Sequence, residues 1–233
     1  MIGHNLKIAW NLTRMQSLVP KEAYRALAAR IADTMPAVGS DQQRGGWYDV
    51  VERTLRPGES SHRFAWHDRK AWWQQEQAIL AYLILAGTGG DPAHLREARQ
   101  AESFYNAFFL DHDEGAVYFN VLASGMPYLL GTERLKGSHS MSMYHSAELC
   151  FLAATYTNLL VSGQSLTLWF KPLPEASRTL RVAPDLLPPG RVELTGVEID
   201  GRPYEVFDGP SMTVQLPVSA ERLTVRVVLS PKS

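Results

Sequence analysis

The chain has a single cysteine, Cys150, so no disulfide framework is available. Its place among Leu149, Phe151 and Leu152 in an apolar helical run reads as a reduced core residue, not a nucleophile. Net charge is also nearly lacking. The 23 Lys and Arg almost balance 24 Asp and Glu, which removes the field that recruits nucleic acid or an anionic membrane. No apolar run reaches the roughly 18 residues of a membrane span, and no basic segment followed by an apolar signal core opens the chain. A cytoplasmic protein with neither a nucleic-acid nor a membrane partner is expected. Two motifs are missing as well: a Gly-rich loop ending in Lys and Ser/Thr, and Gly-x-Ser-x-Gly. Nucleotide hydrolysis and serine esterase chemistry are therefore disfavoured. His62 and His67 stand five apart, and His112 lies beside Asp111 and Asp113. Neither spacing suits zinc, and Val117 and Asn120 spoil a calcium loop, so no metal is expected.

Apolar residues are not scarce: at 45% of 233 residues they are ample for a core. Their spacing predicts a mainly α chain with an added β domain. After a short loop containing Gly3, Leu6, Ala9, Trp10 and Thr13 share one face of a helix running to about Val19. Pro20 suits the start of a second helix through Tyr24, Leu27, Ala28 and Ile31, which should end before Pro36. A short strand or extended excursion is expected around Trp47 to Val51. A helix capped by Asp68 comes next and ends at Gly87-Thr88-Gly89-Gly90, and another starts at Asp91-Pro92. Asp111 to Gly115 reads as a turn, with Val117 to Phe119 pairing Tyr128 to Leu130 as a hairpin. A long helix over residues 144–161 completes this part.

After Ser162-Gly163-Gln164 the period changes from helical to alternating. Ser165 to Phe170, Arg191 to Ile199 and Leu223 to Leu229 read as strands, with Asp200-Gly201 and Asp208-Gly209-Pro210 as turns. The predicted division is residues 1–162, helical hairpins forming part of an α/α barrel, and residues 163–233, a small antiparallel β-sandwich-like domain. The helical modules repeat in structure, with no sequence repeat read from them.

The stretch Lys136-Gly-Ser-His-Ser-Met-Ser-Met-Tyr-His-Ser-Ala-Glu-Leu-Cys150 puts two histidines and a tyrosine at a helix start, where a histidine is well placed for proton transfer. His4 lies just before the first helix. If the connections gather at one barrel mouth, His4 and His145 can stand on opposite sides of a substrate, a geometry suited to proton abstraction and return beside a carbonyl. Trp10, Trp47, Trp66, Trp72 and Trp73 add aromatic surfaces of the kind that pack in cores or against sugar rings.

Four stretches occur in order: Gly3-His4-Asn5-Leu6-Lys7 with Ala9-Trp10-Asn11-Leu12, Lys70-Ala71-Trp72-Trp73-Gln74-Gln75-Glu76, Phe109 to Phe119, and Met143-Tyr144-His145-Ser146. Together the chain resembles the N-acylglucosamine 2-epimerase family, which includes the cellobiose 2-epimerases and aldose-ketose isomerases. The resemblance implies an (α/α)6 barrel and a cofactor-free isomerase acting on a small sugar. His4 and His145 fall on the family's paired acid/base histidines, and Trp72 and Trp73 on its sugar-stacking aromatics. Trp10, Glu76, His139 and Tyr144 complete the expected substrate-binding set.

Three departures accompany the resemblance. Lys7 stands where the family carries Glu, and a cation there depresses the pKa of an adjacent imidazole. The acid after the paired tryptophans is displaced, with Glu76 one residue early and Gln77 in its place. The family also carries about half a barrel before the Gly-His motif, with a third histidine and an arginine. The chain thus resembles the C-terminal portion of a longer protein, for which self-association through open barrel edges is expected. The alternative reading is a non-catalytic carbohydrate-binding or subunit-interaction fragment.

Overall fold

The computed structural model describes residues 1–136, 141 and 143–232. The chain divides into two compact units, Met1–Ala153 and Ala154–Ser233.

The first unit is built from helical hairpins. Helix α1, Ile2–Met15, buries Ile2, Gly3, Leu6, Ala9 and Trp10 along one face. Gly3 lies inside the helix, not in a loop before it. A Cβ there would sit 2.7 Å from Gln74 Cγ and 2.8 Å from Trp73 Cζ3, so its lack of a side chain lets α1 close on the third helix. Helix α2, Glu22–Gly39, runs through Pro36 instead of stopping before it. Proline cannot donate to the carbonyl four residues back, that of Ala32. The buried Tyr82 hydroxyl donates to that carbonyl at 2.9 Å and fills the vacancy.

Asp68 does not cap the next helix. Strand β1, Lys70–Ala71, intervenes and pairs antiparallel with β2, Asn120–Val121, so helix α3, Trp72–Gly89, starts directly from a strand. Its residues from Gln74 to Gly87 are all buried, as expected of a helix whose apolar residues surround it. Gly90, at φ 75°, ends it in the left-handed conformation. Helix α4, Pro92–Phe108, begins with Asp91 accepting the Ala93 amide at 2.8 Å, a cap of about 1 kcal/mol.

The turns that leave α2 and α4 do share a sequence repeat. In Asp41-Gln-Gln-Arg-Gly45-Gly46 and Asp111-His-Asp-Glu-Gly115-Ala116 the aspartate Oδ1 accepts the amides two and three residues on, and its backbone carbonyl accepts the glycine amide. Bridges Ser40 to Trp47 and Leu110 to Val117 close both turns. Each is clasped by a lysine: Lys70 Nζ donates to Asp41 at 2.9 Å and to Gly45 O at 2.6 Å, Lys136 Nζ to Asp111 at 2.6 Å and to Gly115 O at 3.1 Å. Val117 to Phe119 do not pair with Tyr128 to Leu130 as a regular hairpin. The strand residues are Asn120 and Val121, and Leu129 and Leu130 are exposed. Helix α5, Met143–Tyr156, continues into a π-helical turn, Thr157–Val161. Its period turns Leu149 and Leu152 inward and leaves Cys150 exposed, against the expectation of a core thiol.

The second unit carries two antiparallel sheets. Strands β3 (Leu166–Phe170), β5 (Val192–Ile199), β6 (Arg202–Pro203) and β9 (Val225–Pro231) form one, in the order β3-β9-β5-β6. Strands β4 (Arg178–Arg181), β7 (Phe207–Asp208) and β8 (Thr213–Leu216) form the other, in the order β4-β8-β7. Asp200 and Gly201, both at positive φ, make the two-residue hairpin loop between β5 and β6. Alternate residues, among them Val192, Leu194, Val214, Leu216, Val225, Val227 and Leu229, supply the core.

Candidate active site

A cavity of about 410 Å3 opens in the first unit where three helix starts meet. Helix α1 contributes His4 and Lys7, one turn apart on one face; α3 contributes Trp72 and Trp73; α5 contributes Tyr144 and His145. The short β1–β2 sheet adds Ala71 and Asn120, and connecting segments add Asp49, Arg69, Phe119 and Glu133.

Aromatic packing organises the floor. The Trp73 ring lies 5.0 Å from the His4 ring and 5.8 Å from that of His145, so one indole stands beside both imidazoles. Trp72 meets His145 edge-on at 5.9 Å and is backed by Phe119 at 4.4 Å.

The polar end is a relay of hydrogen bonds from α1. The Gly3 amide donates to Gln74 Oε1 at 2.6 Å, Gln74 donates to Asp49, and Asp49 Oδ2 accepts from Arg69 Nε at 2.6 Å. Arg69 reaches on to Glu133 at 3.2 Å and lies over the exposed Trp66 ring at 4.6 Å. A guanidinium held this way presents fixed donors to a polar ligand.

His145 is half-buried and more constrained. Its Nδ1 lies 3.4 Å from Gln77 Nε2 and 4.0 Å from a Glu148 carboxylate oxygen. Lys7 Nζ donates to the Tyr144 hydroxyl at 3.0 Å and pairs with Glu148 at 3.8 Å. Burial, and then the Lys7 ammonium, push the His145 pKa below its ordinary value, with Glu148 opposing. The charge of Lys7 thus bears on the histidine of α5, across the cavity from its own helix.

Of the residues expected at the site, the structure brings together His4, His145, Trp72, Trp73 and Tyr144. Trp10 and Glu76 are set elsewhere. Trp10 is buried in the α1–α3 packing with its indole N–H donating to Gln77 Oε1 at 2.8 Å, so it offers no face to the cavity. Glu76 points away because the next residue along a helix turns by about 100°. Its Oε1 accepts from Tyr105 and Ser146, both at 2.7 Å, and burial raises its pKa to about 7. Gln77, not Glu76, reaches His145. His139 lies outside the described residues.

Arg69, Asp49, Asn120 and Glu133 were not singled out from the sequence. Arg69 directly precedes the Lys70-Ala71-Trp72-Trp73 stretch, and Asp49 lies just beyond the first Asp-turn repeat, which are the signals that mark them. Among the described residues no group of three His, Cys, Asp or Glu side chains is arranged to hold a metal ion, and no helix is long and apolar enough to cross a membrane.

A family model described as N-acylglucosamine 2-epimerase (GlcNAc 2-epimerase) matches residues 2–147. The chain is similar to a solved D-mannose isomerase, with 18% identity and a TM-score of 0.57, over 66% of this chain and 37% of that one. Cellobiose 2-epimerase from Bacillus thermoamylovorans is similar at 18% identity and TM-score 0.53, over 65% and 37% of the two chains. Cellobiose 2-epimerase from Spirochaeta thermophila is similar at 16% and 0.55, over 67% and 38%. The chain thus spans less than two fifths of the length of these structures. No match is found among curated protein sequences.

Proposed function

The chain belongs to the N-acylglucosamine 2-epimerase family, and from that premise we propose that it serves the epimerisation or aldose-ketose isomerisation of a small sugar. The reacting species is the open-chain form, in which the proton on the carbon beside the carbonyl is acidic enough to move. His4 and His145 are the acid/base groups, and no cofactor takes part. The carrying observation is that both imidazoles line one cavity beside a single indole, 5.0 Å and 5.8 Å from its ring. Trp73 and Trp72 receive the apolar face of the sugar chain, and Arg69, Asn120 and Glu133 its hydroxyls. The lowered pKa favours the neutral form of His145, in which an imidazole has both an N–H and a lone pair to use.

The helical unit is one part of an (α/α)6 barrel, and the protein works in the cytoplasm on a soluble sugar. The reading is tested by incubating the full chain with D-mannose or cellobiose in deuterium oxide and following carbon 2 by NMR. Deuterium at that carbon is expected. Binding without any exchange, seen as shifts of the Trp73 indole resonance alone, replaces the enzyme reading with a carbohydrate-binding one.

A further inference from the structure

Gln77 occupies a position where its amide can face only one way. The Trp10 indole N–H is a donor with no acceptor capacity, is buried, and lies 2.8 Å from one end of the Gln77 amide. That end must be the carbonyl oxygen. The other end, 3.4 Å from His145 Nδ1, is then the NH2 group, which donates and cannot accept. A protonated Nδ1 would set N–H against N–H, in a fully buried amide with no room to turn it away.

We infer that Gln77 is a positioning residue that holds His145 in the tautomer carrying its proton on Nε2, so that His145 meets a ligand in the cavity as a hydrogen-bond donor. The other charged groups facing the ring act as follows. Lys7 opposes an imidazolium, and Glu148 favours one but is farther from Nδ1, at 4.0 Å, than the amide. Burial sides with the neutral form. No hydrogen bond among the described residues fixes the tautomer of His4, so its ring offers a lone pair freely.

For the reaction, this rests on the proposed sugar chemistry and divides the labour within it. His4 takes the carbon-bound proton. The C–H electron pair becomes the new carbon–carbon double bond, and the carbonyl pair moves onto oxygen, where the His145 N–H stabilises it, as a neutral imidazole can. The hydroxyl proton passes between the two neighbouring oxygens, and His4 returns its proton to the former carbonyl carbon. Nothing is consumed, and aldose becomes ketose. Return to the opposite face of the original carbon, as 2-epimerisation needs, requires a proton from a His145 that gives up its only one. Aldose-ketose isomerisation is therefore the reaction class this arrangement favours.

The test is a long-range 1H–15N correlation spectrum of the 15N-labelled full chain, with His145 assigned by comparison with His145→Asn. Wild type is expected to show the Nε2–H tautomer above its titration. Gln77→Glu, which keeps the Trp10 bond and turns the inner group into an acceptor, is expected to reverse the ratio to Nδ1–H. A wild-type Nδ1–H tautomer overturns the proposal even if the variant fails to fold, and so does a folded Gln77→Glu protein with an unchanged ratio. These readouts need no turnover, so failure of the sugar reading leaves them standing. With D-mannose, ketose as the main product supports the division of labour, and the 2-epimer as the main product overturns it.

Discussion

Lys7 and Tyr144, 137 residues apart in sequence, meet at 3.0 Å, ammonium to phenol hydroxyl, and join the second turn of α1 to the first turn of α5. Tyr144 also reaches Glu148 at 3.3 Å, so cation, phenol and carboxylate form one surface beside His145. Lys7 is therefore built into the wall and bears on the far histidine.

Replacing Lys7 with methionine removes the charge that opposes the His145 imidazolium, and its pKa should rise; Lys7→Glu should raise it further. In wild type the folded-state pKa is depressed, so the unfolded chain takes up the proton first as pH falls. The related stability is present above the ordinary histidine range and lost as pH drops through the folded value. Both variants should shrink that loss. An NMR titration of His145 that is the same in all three proteins would refute this.

Glu76 is fully buried with a pKa raised from 4.5 to about 7, and its Oε1 already holds Tyr105 and Ser146. Because the folded value is raised, the stability it confers is complete below about pH 4.5 and lost as pH rises through about 7. That loss is roughly 3 kcal/mol by linkage. Glu76→Gln keeps both acceptor contacts and cannot ionise. Urea denaturation at pH 5 and at pH 8 should give nearly the same stability for the variant and a marked decline for wild type. An equal decline in both would remove Glu76 as the cause.

The strands at Leu166–Phe170, Val192–Ile199 and Val225–Pro231 were legible because a half-buried sheet imposes a period of two that nothing else imitates. The helix boundaries were less so. Pro36 stays inside α2, and Tyr82, on another helix, takes the orphaned carbonyl, a contact with no local trace. Gly3 reads as loop and is instead the point of closest approach between α1 and α3. His4, Trp72, Trp73 and His145 were marked by residue type and resemblance, and they line one cavity. Trp10 and Glu76 were not separable from them, since which face of a helix packs against a neighbour and which lines a cavity is set by the other helices. The Asp-turn repeat is completed from afar, since its clasping lysines, Lys70 and Lys136, lie 29 and 25 residues beyond their aspartates.

Those two clasps should differ in strength. Lys70 and Asp41 are almost wholly out of water, and burial pushes the Lys70 pKa down, whereas burial alone would raise that of Asp41 and the ammonium, together with the Tyr48 hydroxyl and the Gln43 amide, more than compensates. Lys70→Met strands the carboxylate and should cost about 3–5 kcal/mol. Lys136→Met leaves Asp111 in contact with water and should change stability far less. Asp41→Asn added to Lys70→Met should recover part of the loss. Equal effects of the two lysine changes in chemical denaturation would contradict this ranking.

The second unit holds its own hydrophobic residues and both its sheets, which predicts that residues 154–233 fold when expressed alone. Strand-type circular dichroism, dispersed amide resonances and a cooperative thermal transition are expected. A random-coil spectrum would mean that the sheets depend on the helical unit.

The two histidines should fail differently when changed. With His145 as a donor, His145→Asn keeps a side-chain N–H and loses only the imidazole's reach and polarity. His4→Asn removes the lone pair that takes the proton, and asparagine has no basic nitrogen to replace it. Loss of a general base typically lowers a rate by about 100-fold to 10,000-fold, so hydrogen exchange at carbon 2 of D-mannose in deuterium oxide should fall by about that factor in His4→Asn. In His145→Asn the fall should be smaller, because the proton can still leave while the oxyanion is held less well. Measured together on the same sugar, the two variants order the roles. Exchange that survives His4→Asn at the wild-type rate would remove His4 as the base, and equal losses in both variants would return the pair to symmetric acid/base duty.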